Sequence, residues 1–196
     1  LGVTVIWADS GDKCGLNIRR FNFFQSTATG RKPDTRIDKS LRRKNMVAIE
    51  GILAATDFSQ ESTLAIKFAV SLAQEYKTKL YLLHVFDPLP QYYYLLEDYR
   101  KKRKDKLKEE LPRVIPDRLK ETVDVEEILE EGLPVHHFIV EKAKELGVDL
   151  IVLATHGRTG LAHVLLGSVA EPVIRHAPCP VFVVRNPQDK YPYEWE

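Results

Sequence analysis

Past residue 50 the chain alternates between short apolar runs and longer stretches with helical spacing. Gly51–Thr56, Lys79–Val85, Leu150–Ala154 and Val181–Val184 are apolar almost throughout. That is the pattern of strands covered on both faces. A further segment, Val123–Glu130, begins with strict alternation, which predicts an edge strand with one exposed face. Between the first two runs, Leu64, Ala65, Phe68, Ala69, Leu72 and Ala73 make an i, i+4 stripe, and Ser59 is placed to cap that helix. Gln91–Glu121 is long and charged, with Pro112 and Pro116 expected to break it. Pro134 suits a helical first turn, the helix continues through Leu146, and Gly147 ends it. Gly167-Ser168 opens another helical pattern, running to Ala177.

Five strands alternating with helices predict an α/β fold: a three-layer, doubly wound, five-stranded parallel sheet. Such sheets bind ligands at the carboxyl ends of their strands, where the strand order reverses. The segments at those ends are Thr56–Ser59, His84–Asp87 and Ala154–Gly160.

Residues 1–45 break the pattern. After Leu1–Ala8 no period of 2 or 3.6 is sustained, and little stable structure is expected there. Met46 is the only methionine and follows Arg42-Arg43-Lys44-Asn45. Two arginines encoded AGG-AGG would form a bacterial ribosome-binding sequence just upstream of a start codon. Residues 1–45 are therefore expected to be a disordered or non-native extension, with synthesis beginning at Met46; the intact mass of the protein from its source decides this. The main domain is expected to span 46–185. The tail 186–196, with Pro187 and Pro192, reads as irregular.

Charge sharpens that division. The 196 residues carry a net charge of +1, but residues 1–45 hold ten Lys/Arg against four Asp, and the remainder 19 basic against 24 acidic. An acidic main domain argues against nucleic acid as the principal partner. Arg100–Lys108 has seven basic residues in nine, read as a solvated helix face, and the tyrosines at 92–94 and 99 read as packing or interface residues. Cys14 and Cys179 make no disulfide framework, and Cys179 between two prolines reads as a small buried apolar residue. His136 and His137 are adjacent, so on a helix they point apart and form no metal pair. No apolar run approaches the roughly 20 residues that span a bilayer, and Leu1–Ala8 is too short and lacks the basic flank of a signal peptide. A soluble cytoplasmic protein without membrane contact is expected.

The strand ends suggest an anion site. Gly157 and Gly160 allow close backbone approach. Gly167-Ser168 offers N–H groups and a hydroxyl at a helix start. Asp57 can accept from ribose hydroxyls. The alternative is that the glycines only make turns, Ser168 only caps and Asp57 only pairs with nearby N–H groups. The sequence lacks G-x-x-x-x-G-K-[ST], G-x-G-x-x-G after the first strand, and G-x-S-x-G. It offers no zinc spacing, and Ala55-Thr56 supplies none of the extra acids that a phosphoacceptor site needs beside Asp57.

A-T-D-F-S at 55–59, L-L-H-V at 82–85 and the signature across 154–184 resemble the nucleotide-binding branch of the universal stress protein family. That family's Gly, two residues, Gly, nine residues, Gly-Ser/Thr motif falls on Ala154, Gly157, Gly167 and Ser168, so alanine stands at its first glycine. The resemblance implies an adenine nucleotide alpha-hydrolase-like (Rossmann-like) fold with strand order 3-2-1-4-5. It implies a nucleotide site on Ala55, Asp57, Val85, Leu153, Ala154, Gly157, Arg158, Gly160, Gly167, Ser168 and Val169. Asp57 would approach ribose or adenine, Val85 would read adenine through its backbone, and Gly157 with Gly167–Val169 would hold the phosphates, joined by Arg158. The ligand would be ATP, ADP or AMP, with Mg2+. It further implies a homodimer through an edge strand at Val181–Val184, and a regulator with little or no catalysis and no catalytic residue. Rival expectations are a slow ATPase or nucleotide-dependent transferase using His156, and a nucleotide-free dimeric scaffold.

Overall fold

The computed structural model describes residues 4–7, 17–20, 48–87, 97–155, 166–185 and 192–195. Its strands are β1 (Thr4–Trp7), β2 (Asn17–Arg20), β3 (Gly51–Ala55), β4 (Lys79–Phe86), β5 (Val125–Glu131), β6 (Leu150–Ala154) and β7 (Val181–Val184). The helices are α1 (Gln60–Tyr76), α2 (Glu97–Glu110), α3 (Asp117–Lys120), α4 (Val135–Leu146) and α5 (Ala170–His176), with a 3-10 turn at Leu111–Val114.

The sheet order is β2-β1-β7-β6-β3-β4-β5. Strands β3 to β7 are mutually parallel, in the 3-2-1-4-5 order that the family resemblance implies. Alternation along each strand sorts the core into two layers. Ile52, Ala54, Leu80, Leu82, Val152 and Val184 pack with α1 and with Leu111, Ile115 and Val123. Leu53, Leu83, Val85, Ile151, Leu153, Val181 and Val183 pack with α4 and α5. Each large side chain fully buried in this way contributes about 1.5–3 kcal/mol.

Local chemistry sets the helix ends. Ser59 caps α1, its hydroxyl accepting from the Ser62 N–H at 3.1 Å. Gly147 ends α4 at φ +61°. Pro112 lies in the 3-10 turn and Pro116 precedes α3, so the predicted long helix breaks at both prolines. The tyrosines at 92–94 lie outside the described residues.

The amino-terminal segment departs from expectation. Thr4–Trp7 and Asn17–Arg20 are strands rather than structureless chain. β1 pairs antiparallel with β7, placing Thr4 opposite Val183 and Ile6 opposite Val181. Val181–Val184 is therefore not at a sheet edge. An open edge presents a row of unpaired backbone groups, and any extended segment of the same chain that reaches it can satisfy them. Local periodicity carries no trace of such a pairing.

The carboxyl-terminal tail also docks. The Lys67 ammonium donates to the carbonyls of Pro192 (2.9 Å) and Glu194 (2.6 Å) and lies 5.7 Å from the Trp195 ring centre. Trp195 Nε1 donates to the Val114 carbonyl at 3.0 Å, and Tyr193 and Trp195 pack on the first core layer. The tail thus straps α1 to the 3-10 turn. Trp195→Ala is expected to cost about 1–2 kcal/mol, a fall in Tm of roughly 2–8 °C. An unchanged midpoint in calorimetry would show that the strap carries no stability.

Candidate ligand site at the strand switch point

β3 and β6 are parallel neighbours, yet the chain leaves them in opposite directions. After β3 it enters α1 on the first layer; after β6 it enters α5 on the second. The strand order thus reverses between β3 and β6, and the carboxyl ends of strands at such a switch point are where open α/β sheets bind ligands.

The β3 side is a tightly bonded turn. Thr56 N donates to Leu83 O (2.9 Å), Phe58 N donates to Thr56 Oγ1 (3.0 Å), and the Thr56 and Ser62 hydroxyls lie 3.1 Å apart. Asp57 Oδ1 accepts from both the N–H and the hydroxyl of Ser59. Half-buried Asp57 is thereby fixed at the end of β3, beside Ala55, the strand's half-buried last residue.

β4 runs past β3. Their register ends at Ala55 opposite Leu83, while β4 continues to Phe86. Backbone groups in a strand alternate direction residue by residue. The Leu83 carbonyl points toward β3, where it meets Thr56 N, and the Phe86 carbonyl points toward the β5 side, where it meets Gly132 N at 3.0 Å. Val85 therefore directs its own N–H and C=O toward the β3 side, beyond the point where that strand has ended. Its side chain is buried in the second layer.

On the β6 side, Leu153 is buried and half-buried Ala154 is the strand's last residue, opposite Val184. Thr155 N donates to Val184 O (2.9 Å), and Gly167 N donates back to Thr155 O (2.8 Å). The two ends of the intervening loop are thus pinned together. Gly167 O accepts from Glu171 N at 3.2 Å. Ser168 is exposed and does not cap α5, whose N-cap position is Val169, with no side-chain capping bond. His156, Gly157, Arg158 and Gly160 lie outside the described residues.

The structure thus brings Ala55, Asp57, Val85, Leu153, Ala154, Gly167, Ser168 and Val169 to one end of the sheet. It also places two features that spacing did not single out. His84 is buried beside Thr56, and Phe58 adopts φ +64°. A polar residue inside an otherwise apolar strand was the available signal for the first; nothing in the sequence marks the second.

Other candidates resolve plainly. Burial, reinforced by the Asp149 carboxylate, pushes the Cys179 thiol up to about 11, so at neutral pH it is no thiolate nucleophile. Among the described residues no group of three or more His, Cys, Asp or Glu is arranged to hold a metal. Among them, too, no helix is long and apolar enough to cross a membrane.

A doubly wound α/β domain whose strand order reverses between β3 and β6 is the class these features define. The universal stress protein family model matches residues 49–185, and the chain belongs to that family. It is 38% identical over 141 residues to a universal stress protein of Methanocaldococcus jannaschii, covering 70% of this chain and 82% of that one. A second universal stress protein of that archaeon is 34% identical over 158 residues, covering 71% and 97%. The solved structure of this second protein superposes with a TM-score of 0.61 at 32% identity, covering 70% and 96%. A universal stress protein crystallised in complex with cAMP superposes with a TM-score of 0.53 at 27% identity, covering 70% and 98%.

Proposed function

We propose that this protein binds an adenine nucleotide at the carboxyl ends of β3, β4 and β6 and acts as a nucleotide-dependent regulator of a stress response, with little or no catalysis. The observation that carries the reading is the overhang of β4. Val85 directs a backbone donor and acceptor toward the side of β3, the strand at whose end Asp57 is fixed, a pairing suited to an adenine edge and a ribose. A related protein's complex with cAMP supports the same ligand class.

In this reading Gly167, Ser168 and Val169, with Gly157, Arg158 and Gly160, take the phosphates. Mg2+ arrives on those phosphates, since it is commonly held by one or two carboxylates plus substrate oxygens rather than by a protein cage. Hydrolysis needs a group that orients water; His156 is assigned no such role. The reading requires a compartment rich in adenine nucleotides, which the cytoplasm is.

Mg-ATP at about 100 times its Kd stabilises a binder by about 2.7 kcal/mol, raising Tm by about 5–10 °C. No shift with ATP, ADP or AMP sinks the reading and favours a nucleotide-free scaffold. A shift accompanied by steady phosphate release that His156→Ala abolishes favours an ATPase.

A homodimer through Val181–Val184 belongs to the same proposal, and it requires β1 to leave that edge. A chain starting at Met46 is expected to sediment as a dimer and the full chain as a monomer. The same oligomeric state for the two would refute edge competition.

A further inference from the structure

β4 holds one polar side chain in its apolar interior, and it faces the candidate site. His84 is only 7% exposed, and its Nδ1 lies 2.7 Å from the Thr56 carbonyl oxygen. A carbonyl can only accept, so Nδ1 carries the proton. Thr56 is consequently held at three points. Its N–H is bonded to Leu83, its C=O accepts from His84, and its hydroxyl engages Phe58 N and Ser62. Two of the three anchors come from β4.

Two residues on, Phe58 sits at φ +64°. For a bulky side chain that is an outlier, costing about 1–2 kcal/mol. Such strain persists only where the surroundings over-determine it, and it gathers at functional sites. Here the surroundings are the Thr56 hydroxyl and the His84 ring, whose centre lies 4.4 Å from that of Phe58 at a 52° tilt. The Phe86 ring centre lies 6.5 Å from that of His84, the two planes nearly parallel at 14°, with the Arg103 guanidinium 5.6 Å from the Phe86 ring. Asp57 stands between the pinned residue and the strained one.

We propose that His84 is a positioning residue for nucleoside recognition: through its bond to Thr56 and its contact with Phe58, it holds the strained turn that presents Asp57 to the ligand. This rests on the nucleotide reading and deepens it by separating two halves of the site. The β3–α1 turn serves the nucleoside and depends on His84. Gly167–Val169, at the start of α5, serves the phosphates and does not.

Three variants test this. His84→Leu keeps apolar bulk and removes the donor. His84→Asn sets an amide N–H close to where Nδ1 lies and keeps it. Phe58→Gly releases the strain without touching a buried donor. Calorimetric titration with AMP and with inorganic tripolyphosphate, and hydrogen exchange at the Phe58 amide without ligand, are the readouts. His84→Leu and Phe58→Gly are expected to weaken AMP about tenfold and leave tripolyphosphate within about twofold. His84→Asn is expected to stay within about threefold of the parent for both ligands. Exchange at Phe58 is expected to quicken at least about tenfold in His84→Leu and not in His84→Asn.

Equal losses for AMP and tripolyphosphate would reduce His84 to a general structural role. Unchanged AMP binding in His84→Leu, or His84→Asn behaving like His84→Leu, would overturn the proposal outright. A parent protein that binds no AMP removes the nucleotide reading instead. The exchange measurement still decides the positioning role in that case, since unchanged protection of Phe58 in His84→Leu overturns it.

Discussion

A Gly167→Val variant is expected to lose the rise in Tm of about 5–10 °C proposed for the parent with Mg-ATP at about 100 times its Kd, a fall of at least about a hundredfold in apparent affinity. The reason lies in how firmly Gly167 is tied. Its N–H donates to Thr155 O and its C=O accepts from Glu171 N, so its backbone joins the end of β6 to the first turn of α5. Moving this backbone to make room for a branched side chain would strain one of those bonds, so the side chain is expected to take the space assigned to phosphate. Ala154→Gly is the reciprocal variant. It restores glycine at the first position of the motif, and tighter binding than the parent is expected if the alanine methyl crowds the ligand. Undiminished ATP binding in Gly167→Val would show that the phosphates lie elsewhere. Differential scanning fluorimetry with and without ligand reads both variants.

Gly132→Ala is expected to be among the most destabilising small substitutions in the domain. A Cβ at this position would stand 1.9 Å from Phe138 Cζ, 2.2 Å from Cε2 and 2.7 Å from Cε1. No carbon pair tolerates such separations, so the ring must swing away. Phe138 is packed on the second core layer and the Gly132 N–H is bonded to Phe86 O, which leaves little freedom on either side. Overpacking of this kind costs about 1–3 kcal/mol, a fall in Tm of roughly 2–12 °C. Phe138→Leu in the same chain should recover part of that loss, and the double-mutant cycle should show a coupling of about 0.5–3 kcal/mol. Additive effects would mean that the ring already avoids the position. Gly147→Ala makes the contrast. Nothing lies within 4 Å of its added methyl, so its cost, about 1–2 kcal/mol, comes only from placing a side chain at φ +61°.

These two glycines show how far local reading reaches. Gly147 was legible as a helix terminator because helices commonly end on a left-handed residue, and glycine is the cheapest one to place there. Gly132 directly follows β5, and what demands glycine there is the Phe138 ring, six residues away and delivered by α4. The strand ends behave in the same way. Thr56 and Thr155 could be placed just past the carboxyl ends of two strands from strand–helix alternation alone. That Val85 turns its backbone toward the end of β3 depends on β4 overrunning its neighbour, a fact of register between segments. Ser168 appeared able to cap a helix; the structure starts α5 one residue too late for that.

What the amino-acid order determined by itself is the alternation of elements, the burial of both sheet faces, and the family signature across 154–184. These follow from periodicity and short-range chemistry, in which a residue's own neighbours set its role. Tertiary structure alone decided the pairing of β1 with the β7 edge, the strap from Lys67 to Trp195, and the His84–Thr56–Phe58 contacts behind Asp57. Each joins residues at least 26 positions apart, through backbone groups or ring faces that leave no imprint on hydrophobic spacing. Hydrogen-bond satisfaction and close packing are conditions on the assembled chain, so they become visible only after it has folded.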